Sequence, residues 1–141
     1  MWTSDKIPVK NIATNNIICY KVFFKKDIIR KKRKFLGITY GKEIVKKFIS
    51  LYENYIYFPY NTNSEINLIY FHSSIFNWDG TRLWAINKGY HSYETLNVSQ
   101  RYVHGLSCIV ECIIPKDSIY YINKKRHIVS SNIIVTDKII N

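Results

Sequence analysis

Lys42-Glu43-Ile44-Val45-Lys46-Lys47-Phe48-Ile49-Ser50-Leu51-Tyr52 is the stretch on which the fold class turns. Its apolar residues fall at 44, 45, 48, 49 and 52, the stripe of an amphipathic helix, with Lys42, Lys46 and Lys47 on the other side. The spacing predicts one principal helix over about 42–54. Gly37 and Gly41 bracket its approach, and Tyr57-Phe58-Pro59 with Asn61-Thr62-Asn63-Ser64 supply breakers and turn residues behind it.

Around this segment the sequence reads as strands. The chain has 24 Ile against 6 Leu and 2 Ala, a β-branched balance that AT-rich coding also tends to produce. Ile17 to Phe24 predicts a first strand, Ile66 to Phe71 another, and Asp79-Gly80 a tight hairpin leading into Arg82 to Ile86. Leu106 to Ile114, Ile119 to Ile122, Ile128-Val129 and Ile133 to Val135 continue as short strands. The expected architecture is α+β: a mainly antiparallel sheet with the 42–54 helix packed on one face. With 141 residues and no internal repeat or linker, residues 1–141 read as one domain, with a basic loop at 25–34.

Charge is the strongest functional signal. Lys25, Lys26, Arg30, Lys31, Lys32, Arg33 and Lys34 crowd one ten-residue segment with a single acid, Asp27, in a chain of net charge +11. Clustered cations neutralise phosphates and release counterions, so this run predicts a nucleic-acid or nucleoprotein partner. Lys42 and Lys46, and a second cluster of Lys124, Lys125 and Arg126, would extend it. Tyr20, Tyr40, Tyr120 and Tyr121 interleave with the charges as platforms on which unpaired bases stack, which favours RNA. An acidic protein surface, or a solvated loop that only aids solubility, are the competing readings.

Other chemistry is less marked. Cys19, Cys108 and Cys112 are an odd number without zinc-type spacing, so they read as buried thiols, with no metal and no cofactor. No apolar run reaches the roughly 20 residues that span a bilayer, and the first residues lack a signal-peptide core, so the expected location is cytoplasmic. Gly89-Tyr90-His91-Ser92-Tyr93 sets an imidazole and a hydroxyl between aromatics. His91, Ser92 and Tyr93 could line a pocket, or Ser92 could cap a short helix through Glu94 and Leu96. The four histidines, His72, His91, His104 and His127, could also serve a small metal-independent ribonuclease in which an imidazole pair acts as base and acid and a Lys steadies the phosphoryl charge.

The Gly89 to Tyr93 segment, Cys112-Ile113-Ile114-Pro115-Lys116-Asp117-Ser118, Tyr120-Tyr121 and Ile128-Val129-Ser130-Ser131, together with Cys19-Tyr20-Lys21-Val22, resemble a pattern in small uncharacterised accessory proteins of bacteria and their phages. That resemblance covers about the last 55 residues and the first strand. It implies a binding role in a bacterial host cytoplasm, such as inhibition of a host-defence nuclease of the CRISPR-effector kind. The order of segments is also similar to ADP-ribosyltransferase-like folds. Those enzymes use a late Glu, and Ile128 to Val135 has no acid, so that similarity implies a degenerate nucleotide-binding relative. The sequence therefore predicts a non-enzymatic binding protein that engages nucleic acid through its basic segment. A nucleotide pocket or a small His-dependent ribonuclease is the alternative.

Overall fold

The computed structural model describes residues 1–31, 42–50, 55–103, 105 and 107–140, and for 24–31 and 42–47 it describes the backbone. In chain order the strands are β1 (Trp2–Ser4), β2 (Asn11–Ile12), β3 (Ile17–Lys31), β4 (Lys42–Ser50), β5 (Ile56–Tyr57), β6 (Tyr70–Phe76), β7 (Arg82–Ile86) and β8 (Tyr90–Tyr93). After α1 (Leu96–Gln100) come β9 (Ser107–Ile114), β10 (Ile119–Ile122), β11 (His127–Ser130) and β12 (Ile134–Ile139). A large antiparallel sheet runs β12-β9-β3-β8-β11-β10-β2, with β4 added along β3 and β5 along β4, and a small sheet runs β1-β7-β6.

The principal helix is absent. Residues 42–50 form strand β4, and the remainder of the expected helix, 51–54, lies outside the described residues. The described fold is thus mostly sheet, and its one α-helix has five residues. The helical spacing of 44, 45, 48 and 49 is overridden by pairing: Ile28-Ile29 on β3 stand opposite Val45 and Ile44 on β4, so apolar doublets match across an antiparallel ladder. β-Branched Ile44, Val45 and Ile49 suit that ladder at least as well as a helix. Phe48 anchors it, fully buried with ring centroids 5.4 Å from Phe23.

The first strand is longer than its apolar run. It continues from Phe24 to Lys31, so most of the expected basic loop is strand, while Lys32, Arg33 and Lys34 lie outside the described residues. Alternation along β3 and β9 sends Cys19, Phe23, Val110, Cys112 and Ile114 into one core with Tyr57, Tyr90 and Ile128. Val22 and Ile109 point the other way, where Tyr93 and the residues around α1 cover them. Trp2, Ile86, Tyr121 and Val129 join the small sheet to the large one. The Asp79-Gly80 hairpin forms as expected between β6 and β7, with Gly80 at φ 85°. β6 begins at Tyr70, later than the strand expected from Ile66.

Gly89 holds a tight approach before β8. Its φ is 154°, and a Cβ there would meet Val129 Cγ2 at 2.5 Å and Leu68 Cδ2 at 2.7 Å. Gly89→Ala is expected to lower stability by about 1–3 kcal/mol through overpacking, measured as a reduced urea midpoint with an unchanged slope.

Candidate functional site

Two features carry chemistry, and both are built on β3. The first is a two-stranded ribbon. β9 pairs with β3 from Ile17 to Phe24 and β8 pairs with it at Tyr20, whereas β4 pairs with it from Phe23 to Lys31. From Lys25 onward, β4 is the only ladder partner of β3 among the described residues, so this part of the pair is a two-stranded ribbon about 20 Å long. Lys25, Lys26, Arg30 and Lys31 on one strand and Lys42, Lys46 and Lys47 on the other share it with Asp27 and Glu43. Lys31 stands opposite Lys42 and Asp27 opposite Lys46. The sequence expectation had placed these lysines on separate elements.

The second feature is a pocket of about 270 Å³. Along one edge of β3, Tyr20 pairs with Tyr93 of β8 and Phe23 pairs with Ser50 of β4. Lys21 and Val22 lie between these pairs, where the ladder passes from one partner to the other, and both line the pocket. His91 and Tyr93 enter from β8, where alternation puts them on the same face, and His127 enters from β11, directly opposite Tyr93. Lys125 closes the pocket from the β10–β11 turn, and Tyr102 from beyond α1.

The rings form a continuous row. His91 and His127 centroids are 5.3 Å apart, His127 and Tyr93 5.2 Å, and Tyr93 stacks on Tyr102 at 4.7 Å and 11°. Lys21 is buried at 4% exposure; its Nζ donates to the His91 carbonyl oxygen and lies 5.7 Å from the Phe23 and Tyr57 ring centres. His91 Nε2 is 3.1 Å from the Asn87 carbonyl oxygen, which only accepts, so Nε2 carries the proton in that bond. His127 Nε2 is buried with no hydrogen-bond partner among the described residues. Burial, reinforced by His91 and Lys21, holds the His127 imidazole neutral down to about pH 3.

Of the residues singled out in the sequence, His91, Tyr93, Lys125 and His127 line this pocket. Ser92, fully buried, is not among its lining residues, and alternation sets it on the opposite face of β8. It caps no helix either: Thr95 is the N-cap of α1, its Oγ1 accepting from Val98 N at 3.2 Å. In the second basic cluster, Lys124 pairs with Asp5 at 3.0 Å and Arg126 with Glu94, so the chain itself engages two of the three cations. The stacking tyrosines are also placed otherwise: Tyr121 is core, and Tyr20 and Tyr120 pack against core clusters, while Tyr40 lies outside the described residues. Exposed aromatics cluster instead on and after β6, at Tyr70, Phe71, Phe76 and Trp78.

Sequence reasoning missed Lys21 and Tyr102 and did not join His127 to His91. Lys21 left a signal, as the single charge inside an apolar strand. The partnership of His91 and His127 depends on the β8–β11 register, which no local pattern encodes.

The cysteines are core. Cys19 and Cys112 are fully buried cross-strand partners, and burial pushes the Cys112 thiol well above its usual range, so it is kept as an unreactive thiol. Among the described residues no group of three His, Cys, Asp or Glu side chains could hold a metal ion, and no helix is long and apolar enough to cross a membrane. No protein-family model, curated protein or solved structure matches the chain.

The buried imidazole makes stability depend on pH. An imidazole whose pKa is depressed from 6.5 to about 3 by folding binds protons more readily in the unfolded chain. Its contribution is therefore complete above about pH 6.5 and is lost as pH falls toward 3. Unfolding free energy is expected to decline between pH 6.5 and 4.5, by up to about 1.4 kcal/mol per unit from this group, and His127→Phe should flatten the decline. Asp5 and Asp79, held below 3.8 by hydrogen bonds with Lys124 and Thr81, titrate beneath that window. Urea titrations of both proteins across the range check this.

Proposed function

We propose that the protein is a non-enzymatic nucleic-acid-binding protein that grips phosphates of nucleic acid or a nucleoprotein with the β3–β4 ribbon. The observation that supports this reading is the extension of the β3–β4 ladder from the Lys25–Phe48 pair out to Lys31 and Lys42, which gathers seven basic residues on one two-stranded ribbon. A two-stranded ribbon rich in cations can follow a phosphate chain without reading its sequence. Shape adds a distinction that charge does not. The major groove of B-form DNA admits a two-stranded ribbon, whereas that of A-form RNA is deep and narrow. Among RNAs, single strands are therefore the expected partners, and among duplexes, DNA.

Fluorescence anisotropy with labelled single-stranded RNA, duplex RNA and duplex DNA tests this between 50 and 200 mM salt. Four phosphate contacts to a single strand predict a loss of affinity of about 50-fold over that range. Replacing Lys25, Lys26, Arg30 and Lys31 by Gln should reduce the log–log salt slope by about 3. Unchanged binding and slope in that variant would refute the reading.

A further inference from the structure

We propose that β6 is a dimerisation edge, along which two copies of this chain pair antiparallel about a two-fold axis at Ser73 and continue one small sheet into the other. This goes beyond the nucleic-acid reading and does not depend on the ribbon. It rests on an open strand edge, on apolar side chains exposed along it, and on a residue pattern that is complementary to itself.

β6 stands at the end of the small sheet: β7 pairs with one of its edges, and among the described residues no strand pairs with the other. An open edge is a row of hydrogen-bonding groups that a further strand can take up. Here the side chains are apolar as well as open. Tyr70, Phe71, Ile75 and Phe76 are between 41% and 55% exposed, Ile69 before the strand is 66% exposed and Trp78 after it 93%. Successive residues of a strand point to opposite faces, so Tyr70 and Phe71, neighbours in the regular part of the ladder, expose apolar surface on both faces at once. A flat surface would cover one of those faces, whereas a strand added at the edge covers both.

Charge narrows the choice of partner. Residues 66–78 contain no Lys, Arg, Asp or Glu, in a chain of which 22% is charged. The lysines with which natural sheets guard an edge are therefore missing from β6. A phosphate chain would find no cation on this strand, and a lipid interior would leave its backbone edge unsatisfied. A second protein strand meets both conditions.

The pattern of the strand makes that partner a second copy. Read from either end, Tyr70-Phe71-His72-Ser73-Ser74-Ile75-Phe76 is apolar at the two outer positions and polar toward the centre. Laid antiparallel about Ser73, Tyr70 of one copy stands opposite Phe76 of the other, and Phe71 opposite Ile75. Each pair then forms twice, as an isologous contact requires, and aromatic pairs with aromatic or β-branched partners are among the stabilising cross-strand contacts. The centre provides for itself: Ser73, Ser74 and Ile75 span the length of Leu83 alone on β7, and in that bulge Ser73 Oγ accepts from Ile75 N and donates to the Ile75 carbonyl oxygen, both at 3.1 Å. The irregular part thus falls at the axis, between the two sets of apolar pairs.

The test is sedimentation velocity of the nuclease-treated full chain from about 1 to 100 µM, a range that reaches weak protein–protein interfaces. The expected result is a concentration-dependent shift toward twice the 16.8 kDa of one chain. Two chains of net charge +11 repel, so salt should tighten this dimer, the opposite of its effect on phosphate contacts. Phe71→Lys and Ile75→Glu, both at exposed positions, should each weaken dimerisation at least tenfold, and an equimolar mixture of the two should restore it because residue 71 of one copy faces residue 75 of the other. The ribbon variant with Gln at 25, 26, 30 and 31 should dimerise at least as well as the unaltered chain, so loss of nucleic-acid binding and loss of the dimer are separable. The proposal is overturned if the chain stays monomeric throughout, if either edge variant dimerises as the unaltered chain does, if the mixture fails to restore the dimer, or if the ribbon variant is monomeric.

Discussion

Strand β3 has two hydrogen-bonding edges and must satisfy them with three partners. One edge is given to β9 over the whole apolar half of the strand. The other is shared, with β8 taking Tyr20 and β4 taking everything from Phe23 onward. Two antiparallel strands cannot occupy the same edge, so a gap opens where one gives way to the other, and a two-stranded ribbon continues where β9 ends. The pocket and the ribbon are therefore two consequences of one pairing constraint.

The handover is held by aromatic packing. Phe23, Phe48 and Tyr57 meet within about the distances at which tilted and edge-to-face rings attract, with centroids 5.4 Å apart for both Phe23 contacts. These rings fix the root of the ribbon, and Lys21 lays its stem along the same group on the way to the His91 carbonyl. Core and site thus share residues, and the cation at the pocket floor is positioned by the same packing that anchors β4.

Charge is sorted by this geometry into three uses. Lys25 to Lys31 and Lys42 to Lys47 lie on the ribbon, Lys124 and Arg126 are paired with Asp5 and Glu94, and Lys21 and Lys125 line the pocket. In the sequence all of these are simply basic residues. Exposed pairs such as Lys124–Asp5 contribute little to stability, and their effect here is to reduce the local positive charge available to a ligand outside the pocket.

The strand from Arg82 to Ile86 and those from Ser107 onward, the Asp-Gly hairpin, the buried cysteines and the concentration of charge were legible in the sequence, because alternation, turn chemistry and composition are local properties; β8, read as a turn or a strand-to-helix connection, was not. The identity of 42–50 was not: its apolar spacing satisfies a helix stripe, and only the matching doublet Ile28-Ile29 on a distant strand decides for a ladder. Nor was the assembled site legible: His91, Tyr93, Lys125 and His127 were picked out on separate grounds, Lys21 and Tyr102 were not, and these residues come from elements about 10 to 70 or more residues apart along the chain. By itself the sequence determined a β-rich chain with a large positive charge and a run of cations beside its first strand. The tertiary structure decided that the run is half of a ribbon, and that two imidazoles and a buried ammonium meet at one gap, because register between distant strands is set by which faces must be buried together rather than by any pattern within one segment.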